Sequence, residues 1–139
     1  MAEMPADMLA HNRGLIEDFR ANGAPPGRQL LLLTTIGRRT GQQRTSPMMY
    51  VPDPSTSGRL LVIASNAGAT DHPLWFRNLV ADPHVHVEVG DESYDATAVV
   101  TEGAEYEALW AHIVASYPFF VDHQSRVERT IPVVALERA

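Results

Sequence analysis

The sequence predicts one α+β domain with about six mostly antiparallel strands and several short helices. Short apolar runs alternate with turn residues, which is typical of strands that follow one another through turns and therefore pair antiparallel. Some longer segments between these runs have apolar residues at helical spacing. With 139 residues, 45% of them hydrophobic, the chain can bury a self-sufficient core, so residues 1–139 are expected to form a single domain. Periodicity alone does not distinguish an open sheet from a closed barrel.

An amphipathic helix is expected in the N-terminal residues 1–23. Met8, Ile16 and Phe19 recur near helical spacing, and the Asn22-Gly23 pair supplies a stop. We expect the apolar face of this helix to pack onto the rest of the domain. Contact with a membrane surface is the alternative that the sequence leaves open.

The remaining elements follow a Pro-Gly break at residues 24–27. Strands are predicted at 29–35, 44–51, 59–64, 84–89, 94–100 and 131–136. Helices are predicted from His72-Pro73 to about residue 81 and over 102–116, and residues 117–127 are predicted to be a loop or a short helix.

Composition excludes several functional classes. The chain has no cysteine, which removes disulfides, thiolate metal sites and cysteine nucleophiles, so any redox chemistry requires a bound cofactor. A formal net charge of −6 argues against general nucleic-acid binding. No apolar stretch approaches the roughly 20 residues of a membrane span and the start does not resemble a signal peptide, so a cytoplasmic protein is expected.

Residues 37–44 are the strongest local signal for a binding site. This glycine-bracketed turn between two predicted strands contains Arg38, Arg39 and Arg44. A guanidinium held on a rigid hairpin binds phosphate or carboxylate with little further ordering cost. The turn is therefore predicted to hold an anion, and three solvated surface charges are the alternative.

Other charged or metal-ligating side chains are interpreted as structural. His84 and His86 share one face of a predicted strand, but no third ligand at a sensible spacing accompanies them, so no metal site is expected. Arg126 and Arg129 are expected to form ion pairs with neighbouring carboxylates such as Asp122.

Four segments together resemble a known family. Residues 31–44, 64–68, 72–79 and 131–134 are similar, in order and spacing, to the family of deazaflavin-dependent nitroreductases and quinone reductases, which use coenzyme F420. The resemblance covers nearly the whole chain after the first helix. It implies a split β-barrel related to that of FMN-binding oxidoreductases, with the coenzyme lying along the barrel.

The resemblance also implies which residues bind the coenzyme. Its phosphate and acidic tail are expected at the basic turn, and its ring against the loop around Ser65 and the helix that follows. The expected cofactor-binding residues are Arg38, Arg39, Thr40, Arg44, Pro47, Met48, Ile63, Ala64, Ser65, Asn66, Leu74, Trp75, Phe76 and Asn78. The family more often has Lys and Gly where Asn66 and Ala67 stand.

The acceptor side is expected to differ from that of nitroimidazole-reducing relatives. Those relatives present several tyrosines, whereas here only Tyr117 is retained and Phe120 and His123 replace the others. Met49, Tyr117, Phe120 and His123 are the expected substrate residues. Tyr117 and Ser65 are the expected catalytic residues, with Tyr117 donating a proton or hydrogen bond to the reduced product. A core role is the alternative for Phe120.

The function implied by the resemblance is hydride transfer from reduced F420 to an electron-poor small molecule, which is a quinone, a nitroaromatic or an activated enone. An FMN-binding split-barrel oxidoreductase and a non-catalytic coenzyme carrier are the alternatives. The chain is expected to act as a monomer or a homodimer, without nucleic acid.

Overall fold

Seven strands and four α-helices make up the part of the chain that the computed structural model describes, which is residues 6–23 and 29–139. In chain order the elements are α1 (Ala6–Asn22), β1 (Leu30–Ile36), β2 (Gln43–Met49), β3 (Val51–Pro52), β4 (Leu60–Ile63), a 3-10 turn (Asn66–Gly68), α2 (Leu74–Ala81), β5 (His84–Val89), β6 (Glu92–Val100), α3 (Gly103–Ser116), α4 (Phe119–Ser125) and β7 (Val133–Arg138). Residues 1–5 of the predicted helix and the predicted break at 24–27 lie outside the described residues.

All seven strands belong to one sheet with the order β2-β1-β5-β6-β7-β4-β3. Every neighbouring pair is antiparallel. The sheet curls, because β2 and β4 lie near opposite ends of this order and yet contact each other. The result is an antiparallel half-barrel with helices around it, which confirms the predicted split-barrel α+β class.

Strand β1 begins with four consecutive leucines because both of its faces are covered there. Leu31 and Leu33 point into the core beneath the sheet, where they are fully buried. Leu30 and Leu32 point to the other face and pack against Phe19 of α1. A strand covered on both sides reads as a continuous hydrophobic run rather than an alternating one. The predicted packing of α1 onto the sheet is therefore confirmed at Phe19.

Strands β5 and β6 form the predicted hairpin with one wet face. Val85 and Val87 are buried, while His84 and His86 face outward. The Nδ1 atom of His84 lies 2.8 Å from Asp82 Oδ1, and that of His86 lies 2.9 Å from Asp95 Oδ1. Each histidine is thus engaged by a carboxylate of its own.

The prediction of a continuous second strand over 44–51 was wrong. The strand breaks at Tyr50, whose N–H donates to the Gln29 carbonyl at 3.3 Å. The two residues after the break, β3, pair with β4 instead of continuing along β1. This break supplies the seventh strand and helps to turn the sheet.

Helices α3 and α4 cover a second apolar cluster. In α3, Leu109 and Ile113 are buried, and other apolar residues of the helix pack on the same cluster. Residues 119–125 resolve the predicted alternative of loop or helix in favour of a helix. Of the helices in the described ranges, none is long and apolar enough to cross a membrane.

Candidate functional site

The basic turn is a rigid six-residue connection between β1 and β2. Strand pairing ends at Ile36 and Gln43. Inside the turn, Gly37 N–H donates to the Gln42 carbonyl at 2.7 Å, and Gly41 N–H donates to the Gly37 carbonyl at 2.8 Å. Gly41 has φ +72°, a conformation that glycine adopts without the cost a Cβ would impose. The backbone that carries the arginines is therefore fixed by its own hydrogen bonds.

Asn78 ties the turn to helix α2. Its side chain is only 7% exposed. Its Oδ1 accepts from the Arg38 backbone N–H at 3.2 Å, and its Nδ2 donates to Thr35 Oγ1 at 3.1 Å. Both polar ends of the amide are thus used to hold the turn. Direct contact of Asn78 with the coenzyme stays a prediction.

Arg38 and Arg39 in the turn, and Arg44 just after it at the start of β2, have no carboxylate partner among the described residues. All three are exposed. Elsewhere in the described chain, Arg20, Arg59, Arg77 and Arg138 each contact a carboxylate. Because the turn concentrates uncompensated positive charge on a fixed backbone, it fits a phosphate or carboxylate ligand.

Thr40 lies in the turn, whereas residues 47–49 lie at the other end of the β1–β2 hairpin, opposite residues 30–32 of β1. Thr40 accepts from the Gln42 N–H through its Oγ1 at 3.2 Å, so it stabilises the turn itself. Pro47, Met48 and Met49 are half-buried on β2. Met48 packs on the core beneath the sheet and Met49 on the cluster under α3 and α4, so neighbouring methionines serve opposite faces.

The loop after β4 combines a buried start with an exposed tip. Ala64 and Ser65 are buried, whereas Asn66 is exposed and adopts φ +50°, an unusual value for a residue other than glycine. Asn66 Nδ2 donates to the Asp71 carbonyl at 3.0 Å. The Ser65 hydroxyl makes no hydrogen bond to the described residues, so it remains available to a ligand.

The residues of α2 and of the end of β4 that are expected to contact the ring differ in how exposed their side chains are. Leu74 is 46% exposed, whereas Phe76 is 8% exposed and belongs to the core beneath the sheet. Trp75 lies between these extremes and packs on the same core, with its ring 6.4 Å from that of Phe76 in an edge-on arrangement. Ile63 is half-buried at the end of β4.

Arg129 is a residue of this site that sequence reasoning missed. Its guanidinium donates to the carbonyls of Ser65 at 2.9 Å, Ala69 at 3.0 Å and Ala64 at 3.2 Å. The expected ion pair with a neighbouring carboxylate was wrong, because these backbone oxygens occupy the guanidinium instead. Burial lowers the pKa of Arg129, as expected for a cation withdrawn from water without a contacting carboxylate.

The acceptor-side residues lie on and before α4. The Tyr117 hydroxyl donates to Gln29 Oε1 at 3.1 Å. Phe120 is 5% exposed inside the cluster under α3, and the neighbouring Phe119 is 44% exposed. His123 Nδ1 is buried without a hydrogen-bond partner in the described residues. Phe120 is therefore a core residue that packs behind the exposed Phe119. The substrate roles of these residues stay predictions.

Helix α2 joins these parts into one surface. Asn78 holds the basic turn, and His72, just before the helix, meets Arg129, whose Nη1 lies 3.0 Å from His72 Nδ1. Gly68 in the loop after β4 packs against α4, since a Cβ built there would lie 3.4 Å from His123 Cα. A cavity of about 290 Å³ lies between the turn and α2, lined by Arg38, His72, Phe76, Arg77 and Val80.

An antiparallel half-barrel with uncompensated arginines beside a polar loop and aromatic side chains fits the class of split-barrel proteins that bind an anionic cofactor. The sequence profile of the F420H(2)-dependent quinone reductase family matches residues 13–138. The chain belongs to this family. The resemblance stated from the sequence is thereby confirmed, and the matching family is named for quinone reduction.

Individual relatives agree with the family match. An F420H(2)-dependent quinone reductase of Mycobacterium tuberculosis strain H37Rv is 37% identical over 122 residues, which cover 86% of this chain and 78% of the relative. A solved F420-H2 dependent reductase, FDR-A, has a TM-score of 0.70 at 37% identity and covers 79% of this chain and 95% of its own. A structure described as a domain-swapped dimer has a TM-score of 0.72 at 34% identity and covers 96% of this chain and 100% of its own.

The expected activity is confirmed at the level of the family. The protein is an oxidoreductase of a family that depends on reduced F420 and acts on quinone-like acceptors. The FMN alternative receives no support from these similarities.

Proposed function

We propose that this protein uses reduced F420 to reduce a quinone, with the basic turn binding the anionic end of the coenzyme. The observation that carries the proposal is the absence of a carboxylate partner for Arg38, Arg39 and Arg44 in the described residues, on a turn whose backbone is fixed. An arginine that is not satisfied within its own protein can give its full set of donors to a phosphate. Charge-assisted bonds of this kind each contribute about 1.5–3 kcal/mol.

The ring of the coenzyme would lie against the loop after β4 and the exposed start of α2. Ser65 offers a free hydroxyl there, and Asn66 lies exposed beside it. Leu74 and Trp75 offer apolar and aromatic surface on the other side. Reduced F420 supplies a hydride when bound. The residues of this chain would orient the ring against the acceptor and exclude water, which are the contributions that a protein makes to cofactor chemistry.

The acceptor would lie on the α4 side of the ring. Tyr117 is the residue proposed to donate a hydrogen bond or proton to the reduced product, and in the free protein its hydroxyl donates to Gln29. That bond to an exposed side chain keeps the hydroxyl oriented and is readily exchanged for a substrate oxygen. Met49 and the half-buried His123 would complete the wall. Nitroaromatics and activated enones are electron-poor in the same sense as quinones and are proposed as secondary acceptors.

The test is steady-state oxidation of reduced F420 by a panel of quinones, nitroaromatics and enones, followed through the fluorescence of the oxidised coenzyme. Turnover with quinones supports the proposal. Binding of F420 without turnover on any acceptor would favour the coenzyme carrier, and tight binding of FMN with no preference for F420 would favour the FMN enzyme.

We also propose that the protein is a homodimer and that it does not insert into a membrane. Support for the dimer is the 34% identity to a protein whose structure is a domain-swapped dimer. Phe19 is buried against β1, which removes it from the residues available for membrane contact. Light scattering coupled to gel filtration, and sedimentation with anionic vesicles, test the two statements separately.

A further inference from the structure

The loop of residues 64–69 has one non-glycine residue in an uncommon backbone conformation and packs closely against α4. Asn66 has φ +50° and Gly68 has φ +80°. A Cβ at Gly68 would lie 3.2 Å from Arg126 Cδ, so the loop is also pressed closely against α4. Non-glycine residues in such conformations persist only where the surrounding structure holds them.

The guanidinium of Arg129 supplies that support. It is planar and rigid, and it reaches three carbonyls of the loop at 2.9–3.2 Å. The Ser65 carbonyl that it contacts also accepts the Gly68 N–H at 2.9 Å. Arg129 therefore fixes the start and the end of the loop at once. A lysine ammonium, which is a point charge without this fork, does not reproduce the arrangement.

His72 completes the arrangement, and it does so as a neutral ring. An arginine nitrogen only donates, so His72 Nδ1 accepts the hydrogen bond from Arg129 Nη1 at 3.0 Å and the proton of the neutral ring is on Nε2. Protonation of His72 would remove this acceptor and place two cations in contact. Arg77 and Arg38 also face His72, the latter across the cavity, and Asp71 is the nearby carboxylate.

We propose that Arg129 and neutral His72 are positioning residues that hold the loop of residues 64–69 in the shape that receives the coenzyme ring. The inference rests on the proposed placement of the ring against this loop. Neither residue touches the reacting atoms; they act through the backbone of Ser65 and Ala69.

The arrangement has a defined pH dependence. Burial, Arg129 and Arg77 together lower the pKa of His72, and Asp71 only partly opposes them. A lowered pKa means that the neutral ring is favoured in the folded protein. Loop support is therefore complete above the ordinary histidine pKa of about 6.5 and is lost as the pH falls through the lower pKa of the folded state.

The first experiment compares wild type, Arg129→Lys and the control Arg126→Lys, all without coenzyme and then with F420. Amide exchange of Gly68 and Ala69 in the free protein should become faster in Arg129→Lys, and F420 should bind roughly tenfold to a hundredfold more weakly, as expected for a misplaced contact surface. Arg126 lies against the same loop without donating to it, so Arg126→Lys should match wild type.

The second experiment uses His72→Asn and His72→Phe across a pH series. Asparagine places an oxygen near the position of Nδ1 and does not titrate, so His72→Asn should keep the loop protected at all pH values. Phenylalanine keeps a ring beside Phe76, which lies 4.7 Å from the His72 ring, but offers no acceptor, so protection should fall at all pH values. The protonation of F420 itself is the same in every experiment. A pH dependence that wild type and His72→Asn share is therefore assigned to the coenzyme.

Unchanged amide exchange in Arg129→Lys, or identical pH profiles of exchange in wild type and His72→Asn, would overturn the inference. Faster exchange with unchanged F420 affinity would overturn it as well, because the loop would then not position the coenzyme. A different result would contradict the proposed placement of the ring. In that case, binding of F420 would leave the amide exchange of residues 65–69 in the wild-type protein unchanged.

Discussion

Removal of Arg44 should weaken binding of the coenzyme with little effect on folding. Arg44 lies opposite Thr35 at the start of β2, is exposed, and contacts no carboxylate among the described residues. Arg44→Ala should therefore change the free energy of unfolding by less than about 0.5 kcal/mol. Loss of one charge-assisted bond to the coenzyme should cost about 1.5–3 kcal/mol, which weakens F420 binding by roughly one to two orders of magnitude.

The assay is a fluorescence titration of F420 at two salt concentrations, with a thermal unfolding curve for each protein. Arg13→Ala is the matched control, because it removes the same charge from the exposed surface of α1. The affinity of wild type should fall as salt is added, and that of Arg44→Ala should fall less steeply. Equal affinity of Arg44→Ala and wild type at low salt would refute the assignment of this arginine to the anion site.

Three further changes test the parts around the turn. Tyr117→Phe should lower kcat for quinones while F420 affinity stays near wild type, and equal turnover would remove the role of its hydroxyl. Asn78→Ala leaves the Arg38 N–H and the buried Thr35 hydroxyl without these partners, so the free energy of unfolding should fall by about 1–3 kcal/mol and F420 affinity should fall with it. Asp53→Ala removes one of three carboxylates that contact Arg59 and the acceptor of the Ser55 hydrogen bonds, so denaturant unfolding should show a loss of about 1–3 kcal/mol with unchanged F420 affinity.

Asp53 also gives a prediction about stability at low pH. Burial opposes ionisation of Asp53, but hydrogen bonds from Ser55 and Arg59 outweigh it, and its pKa is lowered. The contribution of ionised Asp53 to the free energy of unfolding should be complete above the ordinary aspartate pKa of about 3.9. It should vanish as the pH falls through the lower pKa of the folded state. Wild type should therefore lose more stability than Asp53→Ala over that interval of acid unfolding.

The parts of the fold set by local sequence were predictable. The β1–β2 hairpin follows from an apolar run, a glycine-bracketed turn and a second run that are adjacent in the chain. Strand order was not predictable from these patterns, because the pairing of β1 with β5 and the insertion of β7 between β6 and β4 join residues far apart in sequence. No local period encodes such contacts.

In the candidate site, too, some residues could be predicted from local sequence and others could not. The three turn arginines were visible because charge clusters at one place in the sequence. Arg129 was not, since its partners are backbone carbonyls about 60 residues away and a carbonyl has no side-chain signature. Phe119 and Phe120 were indistinguishable as apolar neighbours, and only the packing of α4 made one exposed and the other buried.

A crystal structure of the protein with bound F420 tests the central claim most directly. We predict phosphate or carboxylate oxygens of the coenzyme within about 2.7–3.2 Å of guanidinium nitrogens of the turn, with the ring beside Ser65. Coenzyme bound elsewhere on the half-barrel, with Arg38, Arg39 and Arg44 contacting only solvent, would contradict the account.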